Sequence, residues 1–285
     1  MRAVSLHRDV LVVTSALLGL NCVVVRGTVE ERAGPEGEQA AETGPLTGSG
    51  AVAAAETFVI DSPVLPDELD ALPALLDQAQ YPAPSGLLAT HGDWDHLLGP
   101  LAYPEVALGC AESTAQRLGA SPGEAQRDLR DFDEKLMIER PRPLALGTLQ
   151  ALPVPGHCEI GDRELELHPT DGHTLDGMAI WIGWAGVLVV GDYLSSIELP
   201  LLSAGDAVEA YLATLERLRP LVQQAEHVVP GHGPVLDGPR ALAILEEDAL
   251  YLGQLRERGA DAELPNGRRS RQQRALHAEN VTAIS

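Results

Sequence analysis

The sequence contains little cysteine and little positive charge, and each shortage excludes a class of protein. Cys22, Cys110 and Cys158 are odd in number, widely spaced and in no paired motif, so we expect reduced thiols rather than a disulfide framework. Lysine and arginine number 20 against 42 acidic residues, which gives a formal net charge of −22. This charge repels nucleic acid and anionic membranes at long range. We therefore expect a small-molecule substrate, while the sequence leaves a homodimer open.

Long apolar runs are also missing. No stretch reaches the length that a transmembrane helix needs. The apolar residues 10–25 resemble a signal peptide, but Asp9 and Asn21 interrupt them, and we predict a hairpin with strands over residues 9–14 and 21–26. The expected location is the cytoplasm. The 285 residues, 45% of them apolar, are enough for one large α/β domain.

The segment richest in potential metal ligands is His91-Gly92-Asp93-Trp94-Asp95-His96, which follows the apolar residues 86–89. In an extended chain, His91, Asp93 and Asp95 point to the same side, because side chains alternate. His96 breaks the alternation, and a turn there would direct it towards a second ion. A polar loop at a strand end is the alternative, but two His and two Asp so close together favour a metal site.

Three later segments repeat the same arrangement, in which a strand pattern is followed by glycine and a potential ligand. They are Asp171-Gly172-His173-Thr174 after residues 164–168, Gly191-Asp192-Tyr193 after residues 187–190, and Pro230-Gly231-His232-Gly233 after residues 227–229. Ligands at strand ends lie on the rigid part of an α/β fold. The four segments together therefore predict one metal centre.

The order H-x-D-x-D-H, D-G-H-T, G-D and P-G-H-G resembles the metallo-β-lactamase superfamily, whose signature is H-x-H-x-D-H, a single His, a bridging Asp and a last His. The likeness runs from about Val10 to about Glu257 and includes Asp61 after the predicted strand over residues 57–60. It implies an α/β fold, a four-layer αββα sandwich, over residues 1–260. Within it we expect a flexible insertion over about 31–55, and after it a polar tail over 261–285.

The resemblance also implies the ligands of two divalent ions. One ion would be held by His91, Asp93 and His173, the other by Asp95, His96 and His232, with Asp192 as the bridge. Asp192 would set the separation of the ions, and Asp95 would ligate and orient a hydroxide, so these two residues carry the catalytic roles. Thr174 and Tyr193 adjoin ligands and either bond to them or only pack.

Two positions depart from the family's pattern. Asp93 stands where most members have His, as a Glu does in flavodiiron relatives, and Asp176 follows Leu175 where many members have Pro-Gly. The second departure is expected to affect loop shape more than ligation. Zinc, which accepts carboxylate ligands too, is the expected metal. The carboxylate of Asp93 makes the first site harder than an all-nitrogen set, so iron and manganese are the alternatives.

These residues predict a metal-dependent hydrolase. Metal binding lowers the pKa of water, and a metal-bound hydroxide at a dinuclear site would attack a small ester, thioester, lactone or phosphoester. The alternative is a non-haem iron redox enzyme of the oxygen or nitric oxide reductase or persulfide dioxygenase type. The missing flavodoxin-like segment disfavours the reductases unless a partner supplies electrons, and the complete ligand set disfavours a metal-free binding module.

The remaining patterns predict the surroundings of the site. Residues 27–56 lack periodicity and are typical of an extended hairpin loop, either a mere insertion or a lid. Helices are predicted over residues 68–80, 112–118, 122–138, 207–217 and 239–258, with Ser121 capping the third.

Four side chains are candidates for lining a pocket, namely Trp94, Met178, Trp181 and Tyr193. Met178 and Trp181 lie in an apolar strand, however, and are expected in the core. His277 is expected at the surface or in helix packing, and the basic residues near it either offset the acidic body or are solvated.

Overall fold

Two β-sheets form the centre of the protein. The structure, a computed structural model, describes residues 1–28, 55–203 and 207–284. Within these ranges seven strands form a first sheet in chain order, namely β1 (Arg2–His7), β2 (Val10–Thr14), β3 (Asn21–Thr28), β4 (Ala55–Ile60), β5 (Gly86–Leu88), β6 (Leu108–Ala111) and β7 (Leu149–Leu152). Six strands form a second sheet in the order β13-β12-β11-β10-β9-β8, namely β8 (Gly156–Ile160), β9 (Arg163–Pro169), β10 (Met178–Ile182), β11 (Val187–Val189), β12 (His227–Val229) and β13 (Leu236–Asp237).

Helices cover the outer faces of both sheets. In the described ranges they are α1 (Pro66–Gln78), α2 (Gly99–Ala102), α3 (Glu112–Ala120), α4 (Glu124–Leu136), α5 (Ala207–Gln224), α6 (Gly238–Arg258) and α7 (Arg271–Ala283). None of these helices is long and apolar enough to span a membrane. Apolar residues of α5 recur every three or four positions and pack with α6 against the second sheet.

The alternation of side chains along each strand explains the layers. In β2, Val10 and Val12 join the core between the two sheets, whereas Leu11 and Val13 join the core under α1. A third core lies between the second sheet and α5 with α6. These three cores lie between the four layers, which confirms the αββα sandwich.

The predicted cap at Ser121 is wrong. Helix α3 continues to Ala120, so Ser121 ends that helix instead of beginning the next. The chain then turns through Gly123, whose φ of 78° is left-handed, and α4 begins at Glu124. The turn needs a glycine where the prediction had placed the first turn of a helix.

The loop expected over residues 27–56 is shorter than predicted at both ends. β3 runs to Thr28 and β4 begins at Ala55, and the two strands pair in antiparallel fashion, as the hairpin prediction required. The insertion expected over 31–55 otherwise lies outside the described residues.

The segment after residue 261 contains buried polar groups that the sequence did not reveal. Arg268 is 1% exposed and bonds to Asp248 at 2.5 Å. From α7, Gln273 accepts a hydrogen bond from Leu199 N at 2.7 Å, which attaches the helix to the loop after Tyr193. His277 contacts the Tyr251 hydroxyl at 3.0 Å, so it is a helix-packing residue.

Candidate metal centre

The seven residues singled out as ligands lie together at the ends of strands. His91, Asp93, Asp95 and His96 follow β5, His173 follows β9, Asp192 follows β11 and His232 follows β12. β4 and β5 run parallel, as do β11 and β12, so their carboxyl ends meet at one edge of the sandwich. A 3₁₀ turn over Trp94–Leu97 supplies the change of direction that turns His96 inward.

One half of the site contains the imidazoles of His91 and His173 and the carboxylate of Asp93, with the carboxylate of Asp192 beside them. Asp93 Oδ2 lies 3.6 Å from His91 Nε2 and 3.5 Å from His173 Nε2. Asp192 Oδ2 lies 3.9 Å and 3.4 Å from the same two nitrogens. The potential ligand atoms of His91, His173 and Asp192 are all within 4.8 Å of one another.

The other half is built in the same way. Asp95, His96 and His232 form a second group whose ligand atoms lie within 4.8 Å of one another. His232 Nε2 lies 3.3 Å from Asp95 Oδ2 and 3.4 Å from Asp192 Oδ2. His96 Nε2 lies 3.2 Å from the other Asp192 oxygen. Asp192 thus contacts imidazoles of both halves.

The four imidazoles are held by their outer nitrogens. His96 Nδ1 bonds to Asp61 at 2.9 Å, and His91 Nδ1 contacts the Thr90 hydroxyl at 3.1 Å. The Nδ1 atoms of His173 and His232 each lie 3.2 Å from a backbone carbonyl oxygen, which only accepts hydrogen bonds. The protons of these two rings therefore reside on Nδ1.

Three of the four inner nitrogens have no such partner. The Nε2 atoms of His91, His96 and His173 are buried without a hydrogen-bond partner among the described residues, and so is Asp192 Oδ1. Buried polar atoms without partners are costly, and several pointing at one spot require an explanation. In metal-binding histidines, the outer nitrogen is held by a hydrogen bond and the inner nitrogen is left free for the metal. The residues present fit a divalent ion.

The charges of the site stabilise a cation. Burial alone would lower the pKa of His96, but the carboxylates of Asp61 and Asp192 outweigh burial and hold this pKa well above its usual range. Burial would raise the pKa of Asp192, but His232 and His96 hold it well below its usual range. The site therefore favours positive charge among ionised carboxylates.

Two clefts lead to the site. One, of about 210 Å³, is lined by Asp93, Trp94, Asp95 and the side chains of α3 and α4. The other, of about 200 Å³, lies between the site and α7 and is lined by Asp95, Asp192 and Glu198. Asp95 belongs to both clefts.

Other predicted residues lie outside the cluster or support it. Asp171 pairs with Arg217 at the surface. The Tyr193 hydroxyl accepts a hydrogen bond from His173 N at 3.0 Å, so Tyr193 holds the ligand loop. Met178 and Trp181 lie in the cores, as expected. The three cysteines contribute no side chain to either ligand group.

Several supporting residues were not predicted. Asn21 donates two hydrogen bonds of 2.8 Å, to the carbonyls of Pro230 and Gly233, and so clamps the loop that carries His232. Arg117 bonds to Asp93 at 2.7 Å. Both partners are distant in the chain, so no local pattern signals these contacts.

Comparisons with solved structures agree with the fold. The metallo-beta-lactamase from Pontibacter korlensis is 16% identical, with a TM-score of 0.56 over 86% of this chain and 98% of that one. A metallo-beta-lactamase family protein from Thermus thermophilus is 18% identical, with a TM-score of 0.62 over 96% of this chain and 90% of that one. The stereoselective inverting sec-alkylsulfatase Pisa1 from Pseudomonas sp. is 13% identical, with a TM-score of 0.67 over 99% of this chain but 49% of its own. This chain therefore spans about half of that sulfatase.

Sequence comparison supplies the family. No curated protein matches the chain by sequence. The family model described as the metallo-beta-lactamase superfamily matches residues 82–232, which is more than half of the chain and holds all seven candidate ligands. With the αββα sandwich and the paired His and Asp groups in place, the chain belongs to the metallo-β-lactamase superfamily.

Proposed function

We propose that the protein is a metal-dependent hydrolase with a dinuclear centre, acting on a small uncharged or cationic ester, thioester or lactone. The observation that carries the proposal is the set of buried Nε2 atoms without partners around Asp192. His91, Asp93 and His173 would hold one ion, Asp95, His96 and His232 the other, and Asp192 both. When bound, two divalent ions lower the pKa of a water molecule and polarise the oxygen of the scissile group.

The protein's own residues have separate roles in this reaction. Asp192 would fix the separation of the two ligand groups, because its oxygens lie 3.2 Å from His96 and 3.4 Å from both His173 and His232. Asp95 lines both clefts and would orient the attacking water through a carboxylate oxygen. Asp61 would keep the His96 proton on Nδ1 through its 2.9 Å hydrogen bond.

The charge of the clefts supports an uncharged or cationic substrate. Bound ions would offset the ligand carboxylates but not Glu124, Asp128 and Glu198, which also line the clefts. Arg117 is the one arginine or lysine among the described residues that line them, and it is engaged by Asp93 and by Asp176. A phosphoester would therefore be repelled, and we expect it to be the poorest substrate of the predicted class.

The alternative function is a non-haem iron redox enzyme of the oxygen or nitric oxide reductase or persulfide dioxygenase type. It is supported by Asp93, whose carboxylate lies against His91 and His173 where an imidazole is usual. Carboxylate ligands suit iron better than an all-nitrogen set does. Oxygen consumption by iron-loaded protein, with no ester hydrolysis, would favour this alternative.

The test uses substrates that share one leaving group. Protein reconstituted with zinc, manganese or iron is assayed on p-nitrophenyl butyrate, p-nitrophenyl phosphate and bis(p-nitrophenyl) phosphate, and separately on a lactone. We expect hydrolysis of the uncharged ester or the lactone. Glu198→Gln should raise the rate on the phosphoesters relative to the ester, because it removes a cleft charge that no bound ion offsets. No hydrolysis of any substrate with any metal contradicts the proposal.

A further inference from the structure

One arginine joins the two positions at which the chain departs from its family's motifs. Arg117 on α3 donates from Nη2 to Asp93 Oδ1 at 2.7 Å and from Nη1 to Asp176 Oδ1 at 2.8 Å. Asp93 stands where most members have His, and Asp176 stands in the Pro-Gly position after the second ligand motif. No local pattern in the sequence connects these two departures.

Asp176 is an anchor and not a ligand. It is 3% exposed, and its Oδ2 accepts hydrogen bonds from Gly92 N at 2.9 Å and from the Thr114 hydroxyl at 2.7 Å. With Arg117 on Oδ1, both oxygens are used by groups that are not themselves candidate ligands. The side chain is therefore fixed in one orientation and in turn fixes the guanidinium.

The backbone beside Asp93 is shaped for this arrangement. A Cβ atom at Gly92 would lie 3.1 Å from Asp176 Oδ2 and 3.4 Å from Arg117 Nη1. Glycine thus allows the anchor and the arginine to approach the ligand segment closely. The contact between Arg117 and Asp93 belongs to a packed unit and is more than a surface ion pair.

Arg117 divides the two oxygens of Asp93 between two tasks. Oδ1 is bound to the guanidinium, which leaves Oδ2 facing His91 Nε2 at 3.6 Å and His173 Nε2 at 3.5 Å. A free carboxylate can ligate through one or both oxygens, whereas an imidazole offers one nitrogen. The guanidinium also offsets the negative charge that Asp93 adds relative to histidine.

We propose that Arg117, anchored by Asp176, is a positioning residue that makes Asp93 a one-oxygen ligand in the place of an imidazole. This inference rests on the proposed function, because it requires that the centre bind a divalent ion. It predicts that Arg117 matters only while residue 93 is a carboxylate. An arginine that merely attaches α3 would matter equally with histidine at position 93.

The test is a double-mutant cycle on metal affinity with four proteins, namely wild type, Arg117→Met, Asp93→His and the double variant. Zinc affinity is measured by competition with a chromogenic chelator. Groups that orient metal ligands typically contribute about 10–100-fold in affinity, and we expect a loss in that range for Arg117→Met. In the Asp93→His background the same substitution should change affinity little.

Three further variants sharpen the cycle. Arg117→Lys should recover only part of the affinity, because an ammonium group cannot contact both carboxylates as the planar guanidinium does. Asp176→Asn should weaken binding in wild type but add nothing to Arg117→Met. Arg140→Met is the matched control, since Arg140 likewise makes two hydrogen bonds to carboxylate oxygens, in its case both of Asp133 at 2.7 and 3.0 Å, away from the ligands. It should leave zinc affinity unchanged.

The absorption spectrum of bound cobalt reports on the ligands and does not depend on the stability of the fold. The visible absorption of bound Co²⁺ depends on the number and geometry of its ligands, so it should differ between wild type and Arg117→Met but not between Asp93→His and the double variant. Thermal melting of the metal-free proteins reports on folding. If Arg117→Met does not fold, Arg117→Lys takes its place in the cycle.

The outcomes separate the two proposals. Wild-type protein that binds no ion contradicts the proposed function and the role of Arg117 together. Wild-type protein that binds zinc, with unchanged affinity in Arg117→Met or with equal losses in both backgrounds, overturns only the role of Arg117.

Discussion

Gly231→Ala should disable the site by displacing Asp192. A Cβ atom at residue 231 would lie 2.1 Å from Asp192 Oδ1 and 2.9 Å from His96 Cε1. The backbone cannot move away easily, because Gly231 N donates to Gly191 O at 2.6 Å and Gly231 O accepts from Asn21 N at 2.8 Å. The Asp192 carboxylate must therefore give way.

The size of the displacement sets the expected loss. Ordinary van der Waals contact of a Cβ atom begins at 3.4 Å, so the carboxylate oxygen must move by about 1.3 Å. A misplacement of about 1 Å in a catalytic arrangement can reduce the rate about 100-fold. We expect a loss of at least that order in kcat/KM, together with weaker binding of both ions, because Asp192 contacts imidazoles of both halves.

The assay is metal content and ester hydrolysis after reconstitution, with thermal melting of the metal-free protein to report on folding. Gly253→Ala in α6 is the matched control, because nothing lies within 4 Å of the added Cβ atom. It should keep full activity and stabilise the fold by about 0.5–1 kcal/mol, as alanine does relative to glycine in a helix. Wild-type metal content and activity in Gly231→Ala would refute the placement of Asp192 in the centre.

Other substitutions test separate parts of the account. Asp192→Ala should abolish hydrolysis and weaken metal loading, whereas Asp171→Ala, at the surface, should do much less, as activity and elemental analysis will report. Asp93→His should shift metal preference towards zinc, while Asp93→Ala should bind the first ion more weakly, as reconstitution of all three proteins with each metal will measure. Arg268→Ala leaves Asp248 buried and unpaired, so denaturant unfolding should show a loss of about 3–5 kcal/mol. Zinc affinity should fall as the pH is lowered through neutrality, because protons compete for imidazoles whose pKa is raised.

The positions of the candidate ligands could be predicted from the sequence because each belongs to a short segment that follows a strand. Strand patterns, glycine and a His or Asp are local signals, and parallel strands bring their ends together without further information. The order of the layers could not be predicted from hydrophobic periodicity, which gives only an α/β class. The αββα order came from the family resemblance. Strands such as β1 and β13 were not predicted, because they are short or largely exposed.

Contacts between distant segments could not be predicted. Arg117 lies 24 residues from Asp93 and 59 from Asp176, and only the packing of α3 brings the three together. Asn21 lies 209 residues from Pro230.

At Ser121 the local signal was present but ambiguous, because a serine before proline suits a helix start and a helix end alike. The structure resolves this through the left-handed turn at Gly123.

The number of divalent ions bound per chain tests the central claim most directly. Metal-free protein is titrated with zinc and analysed by elemental analysis and calorimetry, beside Asp192→Ala. Two ligand groups that share contacts with one carboxylate predict two ions per wild-type chain. The variant should bind both ions more weakly. A single ion, or none, in wild-type protein would contradict the dinuclear centre, and so would a variant that binds two ions as tightly as wild type.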